Sequence, residues 1–245
     1  MRATAGAIAG AALLGSLSTS VWAASLQVSP VSIEVLAPGA ATTITLNNVG
    51  TDPLNAQIRV FRWVQTDGEE KLEPTDDVIA SPPSASLAAA TAYTVRLVRV
   101  SKQPIATGES YRLLVDELPE STPGQSSGVR LIMRYSVPVF FYPRQTAEPK
   151  LSWSLEQRGG QVYLSVTNSG DRHMRVAALK LREGTATATS FGDGLTGYVL
   201  GHSIMRWKIP GNSQRLGVGG PIVVSAQGDN GPISATLSAP APSRR

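Results

Sequence analysis

The sequence contains no cysteine and only two histidines in 245 residues. Without a thiol the chain can form no disulfide, no zinc–thiolate or iron–sulfur site and no cysteine nucleophile. Two histidines, His173 and His202, are too few for a metal centre built from several imidazoles. We therefore expect no cofactor and a fold that is stabilised by its hydrophobic cores alone.

Charged residues are also sparse, at 16% of the chain with a formal net charge of +4. The cations form no run and no basic stripe with interleaved aromatic residues, which argues against nucleic-acid binding. No glycine-rich loop has the spacing that cradles phosphates, and no other motif points to a small-molecule substrate. His202 and Ser203 suggest a hydrolase only weakly, because Met205 lies where a nucleophile elbow needs glycine. We expect a protein that is not an enzyme.

The long apolar run of the sequence lies at its beginning. Arg2 precedes an Ala- and Leu-rich segment, residues 3–17, which is followed by a polar break and by Val21-Trp22-Ala23, a small-x-small cleavage pattern. The apolar run is shorter than the about 20 residues of a membrane-spanning helix. Residues 1–23 are therefore predicted to be a cleaved signal peptide, with export to the periplasm.

The rest of the chain consists of short β-branched segments separated by Gly, Pro, Asn and Asp, which is typical of an all-β sandwich or barrel. Residues 26–36 alternate as a strand, and Pro30 marks an edge or a bulge within it. Asp67-Gly68 and Gly159-Gly160 are predicted hairpin turns. Two segments are expected to be loops, residues 73–92 with short extended pieces and residues 183–196.

One strand is expected to contain an irregularity. Tyr93, Val95 and Leu97 alternate on one side, and Val98 and Val100 then predict a change of register.

The strand pattern predicts two domains. Pro143 and Pro149 bracket a short polar segment, after which alternating strands begin again at Leu151. The predicted division is residues 24–143 for the first domain, 144–149 for the linker, 150–238 for the second domain and 239–245 for a flexible tail.

The most informative segment is a long predicted strand, Val129 to Phe141, after the polar loop of residues 120–128. Strands usually have about five or six residues. A long apolar strand can pair through its edge with another chain, or it can be a central strand whose inward face belongs to its own core. The pattern alone leaves both readings open. The apolar side carries Val129, Leu131, Met133, Tyr135, Val137, Val139 and Phe141.

Four segments together resemble a known family. They are residues 26–32 (LQVSPVS), 108–119 (GESYRLLVDELP), 128–143 (GVRLIMRYSVPVFFYP) and 197–201 (GYVLG) with Trp207 and Pro210. Their order and spacing resemble the PapD-like periplasmic pilus assembly chaperones, and more closely the archaic chaperone–usher branch of spore-coat-protein-U-type pili. The resemblance implies two immunoglobulin-like β-sandwich domains in an L-shaped arrangement.

The resemblance also implies a function and a binding strand. The function is to stabilise pilus subunits by donor-strand complementation and to deliver them to an outer-membrane usher. Val129, Leu131 and Met133 are the expected donor residues, and Tyr135 and Val137 continue their face toward either the subunit or the protein's own core. Whether free molecules cap the strand by forming a homodimer is left open. A structural pilus or adhesion protein built of immunoglobulin-like domains is the alternative.

The sequence departs from the better-known branch at the subunit's C-terminal carboxylate. In that branch an arginine of the first strand and a lysine late in the long strand bind this group, whereas this sequence has Glu34 and Pro138 there. A buried carboxylate still needs a cation or several hydrogen-bond donors. Arg96 and Arg134 are the candidates, although residue type alone fits ordinary surface arginines equally well.

Overall fold

The computed structural model describes residues 25–119, 132–211 and 220–237, and all of the regular elements in these ranges are β-strands. No helix within those ranges is long and apolar enough to cross a membrane. The all-β class is therefore confirmed. The first ten strands are β1 (Leu26–Ser29), β2 (Ile33–Leu36), β3 (Ala41–Asn48), β4 (Leu54–Thr66), β5 (Glu69–Pro74), β6 (Val78–Ser81), β7 (Ser84–Leu87), β8 (Ala92–Arg99), β9 (Glu109–Leu118) and β10 (Arg134–Tyr142).

These ten strands form one immunoglobulin-like sandwich. One sheet has the order β1-β3-β8-β6, and the other has the order β2-β10-β9-β4-β5, with β7 also paired to β4. The inward side chains of both sheets form a single buried core. Residues 78–81 and 84–87, which were expected to be short extended pieces of a loop, are strands of opposite sheets.

Pro30 marks the point where the chain changes sheets. β1 pairs antiparallel with β3, whereas β2 pairs in parallel with β10 in the other sheet. Proline has no backbone N–H, so it fits between two ladders better than inside one. The expected irregularity is therefore a change of sheet.

The predicted change of register in β8 is wrong. The alternation continues, so that Val95, Leu97 and Arg99 are all buried. The Arg99 guanidinium binds the Glu109 carboxylate through two bonds of 2.7 and 2.8 Å and donates to two backbone carbonyls. A buried charge is tolerated when it is paired in this way. A cationic side chain thus occupies an inward position that composition would assign to an apolar residue.

The remaining strands form a second sandwich. It has a sheet of order β11-β12-β16 and a sheet of order β14-β13-β17-β18, with β15 paired to β13. Gly159 and Gly160 make the predicted turn with positive φ angles of 53° and 75°. Within the expected loop of residues 183–196, β14 pairs with β13. The strands are β11 (Leu151–Arg158), β12 (Gln161–Asn168), β13 (Met174–Glu183), β14 (Thr189–Ser190), β15 (Leu195–Val199), β16 (Ser203–Lys208), β17 (Ile222–Gly228) and β18 (Gly231–Leu237).

An aromatic cluster joins the two sandwiches. It lies on the outer face of the β2-β10-β9-β4-β5 sheet, and His173 of the second sandwich stacks on Phe140 with ring centroids 3.7 Å apart. Gln65 bonds the second sandwich twice, by donating to the Tyr198 carbonyl (2.7 Å) and accepting from the Leu200 amide (3.0 Å). This contact holds the end of β10 between the two sandwiches. The buried members of the cluster are Trp63, Phe140, Tyr142, Tyr198 and Leu200.

Candidate functional site

One edge of β10 is paired over only half of its length. On one side β9 pairs with it from Arg134 to Phe141, but on the other side β2 pairs only with Val139–Tyr142. From Arg134 to Pro138 that second side meets no strand of the described residues. An unpaired strand edge presents backbone hydrogen-bonding groups that a further strand can use.

The ladder pattern identifies which backbone groups face this open edge. Glu117 donates its N–H to the Met133 carbonyl at 2.9 Å, so the backbone of Met133 faces β9. In an antiparallel ladder successive residues face alternate sides, which directs the N–H and C=O of Arg134 and Ser136 to the open edge. Pro138, the next residue on that side, has no N–H to leave unpaired. The open edge therefore spans residues 134–138.

The inward face of β10 passes from core to open surface along the strand. Val137 is 2% exposed and belongs to the sandwich's own core, which is one of the two roles that the sequence left open for it. Tyr135 is half-buried against that core, and its hydroxyl donates to the Leu26 carbonyl of β1 at 2.6 Å. Met133, also half-buried, is the next residue on this face. The remaining predicted donor residues, Val129 and Leu131, lie outside the described residues.

Two adjacent acidic residues hold the beginning of β10. The Met133 N–H donates to the Glu117 carboxylate at 3.3 Å, and Asp116 accepts hydrogen bonds from Arg134 and, at 2.6 Å, from Arg59 of β4. Burial acts to raise the pKa of Asp116, but the bonds from the two guanidiniums outweigh burial and leave that pKa below its usual value. Asp116 is therefore an ionised carboxylate that is held by two arginines.

The two candidate anchors for a carboxylate lie on different sheets. Arg96 is exposed on β8, between the buried Val95 and Leu97, whereas Arg134 is on β10 and already pairs with Asp116. The structure therefore does not bring them together around one ligand. That either of them binds a subunit carboxylate stays a prediction.

A third arginine, which the sequence analysis missed, lies at the junction of the two sandwiches. Arg112 of β9 has a side chain that is 13% exposed, and its guanidinium lies over the Trp63 ring, 3.6 Å from the centroid. Burial lowers the pKa of Arg112, and the Glu70 carboxylate, 4.0 Å away, opposes this effect. In sequence Arg112 alternates with apolar neighbours like any surface arginine. Its burial becomes visible only when the second sandwich is seen to pack against β9.

The positions of the two residues that depart from the better-known branch are also informative. Glu34 forms an ion pair with Arg172 of the second sandwich, and Pro138 is buried. The Glu34 position therefore contributes to the contact between the domains.

The arrangement around His202 does not support a hydrolase. His202 Nε2 lies 2.7 Å from Asp171 Oδ1, while the Ser203 hydroxyl donates to the Gly201 carbonyl at 3.1 Å. Neither bond joins the serine to the histidine, so His202 is not placed to activate Ser203 as a general base. Within residues 25–119, 132–211 and 220–237, no three His, Asp or Glu side chains are placed to hold a metal ion.

The family is identified by a comparison with families of known proteins. Residues 25–147 match the family described as "Pili and flagellar-assembly chaperone, PapD N-terminal domain". A search of curated proteins found no significant match.

Solved structures of pilus chaperones are similar over nearly the whole chain. A chain of the CsuC–CsuE chaperone–tip adhesion subunit pre-assembly complex, from the archaic chaperone–usher Csu pili of Acinetobacter baumannii, is 28% identical with a TM-score of 0.69, covering 88% of this chain and 99% of that one. A chain of the Salmonella enterica SafA pilin–SafB chaperone complex is 19% identical with a TM-score of 0.61, covering 89% and 99%. The E. coli chaperone DraB is 18% identical with a TM-score of 0.56, covering 89% and 98%. At these identities the last two show the fold alone.

The family match, the two immunoglobulin-like sandwiches and the similar structures agree with one another. Chaperones of this kind are periplasmic and are not enzymes. This chain belongs to the PapD-like pilus assembly chaperones.

Proposed function

We propose that this chaperone binds a pilus subunit by donor-strand complementation, adding the segment of residues 129–138 to the subunit's incomplete β-sheet. The observation that carries the proposal is the open edge of β10 at residues 134–138, together with an apolar face that continues beyond the chaperone's own core. In strand addition, backbone hydrogen bonds supply affinity and alternate side chains fill pockets. β10 offers both.

The energy available from the donor residues suits a reversible complex. Burying Val129, Leu131 and Met133 contributes about 1.5–3 kcal/mol for each side chain. The sum of roughly 5–9 kcal/mol is reduced by the ordering of the segment and by the lost rigid-body freedom of two proteins. Backbone bonds at Arg134 and Ser136 add to what remains.

The solved complex from the archaic Csu pili supports a pilus subunit as the partner. That similar structure is a complex of a chaperone with a tip adhesion subunit. The alternative, a structural pilus or adhesion protein, fits less well, because β10 pairs with β9 over nearly its whole length in the first sandwich.

The subunit's C-terminal carboxylate requires a cation. Arg134 lies at the open edge, Arg96 lies on the opposite sheet, and Arg112 lies at the junction between the domains. Of the three, Arg112 is the least exposed to water, so a carboxylate that reaches it gains the most from pairing. We retain Arg134 and Arg96 as the candidates that the sequence identified and add Arg112 to them.

Hydrogen exchange in the free and loaded chaperone tests the proposal directly. Subunit binding should slow exchange at the Arg134 and Ser136 amides, which face the open edge. The Tyr135 and Val137 amides, which face β9, are the internal control and should change little. Unchanged exchange at Arg134 and Ser136 in a stable complex would contradict strand addition at this edge.

Side-chain substitution tests the face of the donor segment. The chaperone is produced together with a pilin, and the double variant Leu131→Glu/Met133→Glu should lose the soluble complex because the charges cannot enter apolar pockets. The matched control is Ile132→Glu, since Ile132 is exposed on the opposite face of the same segment. Equal yields from the two variants, with both chaperones folded, would argue against the proposed face.

Delivery to an outer-membrane usher is the second step that we propose. The loaded chaperone should bind the purified usher, and the free chaperone should bind it more weakly. Equal binding of the two forms would contradict selective delivery.

Capping of the open edge by a second copy is the corresponding proposal for the free chaperone. A dimer in solution should become a monomer when Met133 is replaced by Glu. A wild-type chaperone that is monomeric at high concentration would exclude it.

A further inference from the structure

The end of the β9–β10 ladder departs from the usual antiparallel pattern at Met133. A hydrogen-bonded antiparallel pair exchanges two backbone bonds. Here the Glu117 N–H donates to the Met133 carbonyl at 2.9 Å, but the Met133 N–H donates to the Glu117 carboxylate at 3.3 Å. A side chain thus takes the place of a backbone carbonyl. The ladder ends there while the Met133 amide keeps a partner.

Asp116 holds the next residue from the opposite face of the sheet. Arg134 is the register partner of Asp116 across the ladder, and the two side chains form an ion pair. Arg59 of β4 binds the same carboxylate at 2.6 Å, so Asp116 connects β4, β9 and β10. Because adjacent strand residues point to opposite faces, Asp116 and Glu117 hold the start of β10 from both sides.

Asp116 and Glu117 are both buried, and burying their carboxylates costs free energy that uncharged side chains at these positions would avoid. Asp116 is 8% exposed and Glu117 is 6% exposed. Two neighbouring buried carboxylates destabilise a sheet unless donors bind them. Among the described residues, the Met133 amide donates to Glu117, and the arginine side chains at the start of β10 and on β4 donate to Asp116. The cost is therefore offset at the point where β10 begins.

We propose that Asp116 and Glu117 are positioning residues that set the register of the donor segment at Met133. They fix the backbone of Met133 against β9 and the face that Met133 presents. A slip of one residue would exchange the two faces and place Arg134 where Met133 belongs. The expected effect on subunit binding rests on the proposed donor-strand function, whereas the contacts of Asp116 and Glu117 with β10 do not.

The first experiment measures the geometry in the free chaperone, without any subunit. Glu117→Leu should accelerate exchange of the Met133 amide by about tenfold, relative to the Val139 amide, because the amide loses its acceptor. Glu117→Gln keeps a side-chain carbonyl and should restore exchange to near the wild-type rate. If Glu117→Leu leaves the Met133 rate unchanged, the positioning role is wrong.

The second experiment measures the consequence for binding to the co-produced pilin. A double-mutant cycle compares Glu117→Leu, Met133→Ala and the combined variant. If Glu117 acts through Met133, the combined loss of affinity should be smaller than the product of the single losses, by about fivefold or more. Independent, multiplicative losses would overturn the inference.

A control separates positioning from a general loss of stability. Glu109 lies at the opposite end of β9, where it binds the buried Arg99. Glu109→Leu should destabilise the sandwich yet combine multiplicatively with Met133→Ala. If Met133→Ala alone leaves subunit binding intact, the donor-strand proposal fails at this residue, and the exchange experiment still decides whether Glu117 positions Met133.

Discussion

The two halves of β10 differ although they belong to one continuous strand. Val139–Phe141 pair on both sides, Tyr142 pairs with β2, and Phe140 and Tyr142 pack into the cluster that joins the two sandwiches. Residues 134–138 pair on one side only. A strand that is clamped at one end and open at the other presents its edge from a rigid base, which reduces the entropy lost on binding. The difference predicts that the clamped half controls stability and the open half controls binding.

The largest expected effect comes from truncating the clamped half. Phe140 is fully buried and contacts Trp63 and His173. Phe140→Ala should lower the free energy of unfolding by about 3–5 kcal/mol, because it removes a large side chain from a packed cluster. Met133→Ala, in the open half, should cost far less. Denaturant unfolding of the two variants measures the contrast, and similar losses would refute it.

Acid should weaken the clamped half through His173. Burial lowers the pKa of His173 from 6.5 to about 4, although the Asp229 carboxylate opposes this effect. Below pH 6.5 the unfolded chain takes up a proton that the folded chain does not, so this residue reduces stability as pH falls toward 4. The total loss is about 3 kcal/mol.

The variant His173→Phe tests this pH dependence because it keeps a ring that can stack on Phe140 but cannot take up a proton. The free energy of unfolding of the wild type should fall more steeply between pH 6.5 and 4 than that of the variant. Parallel curves would show that His173 is not responsible.

Removing the buried cation at the junction should weaken binding more than removing an exposed one. Arg112→Met should reduce subunit affinity by about ten- to a hundredfold if Arg112 pairs with the C-terminal carboxylate. Arg134→Met and Arg96→Met are matched comparisons at the open edge and on the opposite sheet. A subunit with an amidated C-terminus should bind all four proteins nearly alike. If Arg112→Met still binds the amidated subunit more weakly than the other proteins do, Arg112 has another role.

The smallest expected effect is at the boundary between the two halves. Tyr135→Phe removes the hydroxyl that donates to the Leu26 carbonyl and keeps the ring. The free energy of unfolding should fall by about 1 kcal/mol, as for one neutral hydrogen bond. Thermal unfolding measures this loss. No change would mean that Tyr135 is available to a subunit without disturbing β1.

Much of the fold was predictable because local signals and tertiary structure agree. The sequence showed the alternation of residues 26–36 and the special role of Pro30. It also showed the turns at Asp67-Gly68 and Gly159-Gly160, whose four residues have positive φ angles. Arg99 was not predictable. A charged residue in an inward position is favourable only when a partner such as Glu109 comes from another strand, and that pairing is not local.

The candidate site also has a part that the sequence predicts and a part that only the tertiary structure reveals. The apolar face from Val129 to Phe141 could be read from a period of two, but periodicity does not distinguish a protein's own core from another chain. The structure assigns Val137 to the core and leaves Met133 beyond it. Arg112 gave no local signal, since its burial depends on Trp63 and on the second sandwich.

The amino-acid sequence alone determined the β class, the positions of most strands and the side of each strand that is apolar, because these follow from alternation and turn residues a few positions apart. The open edge of β10, the contacts of Asp116 and Glu117 with the start of β10 and the burial of Arg112 were decided by the tertiary structure. These features depend on which distant strands become neighbours in a sheet. They also depend on where each neighbouring strand ends, and no single segment of the chain determines that.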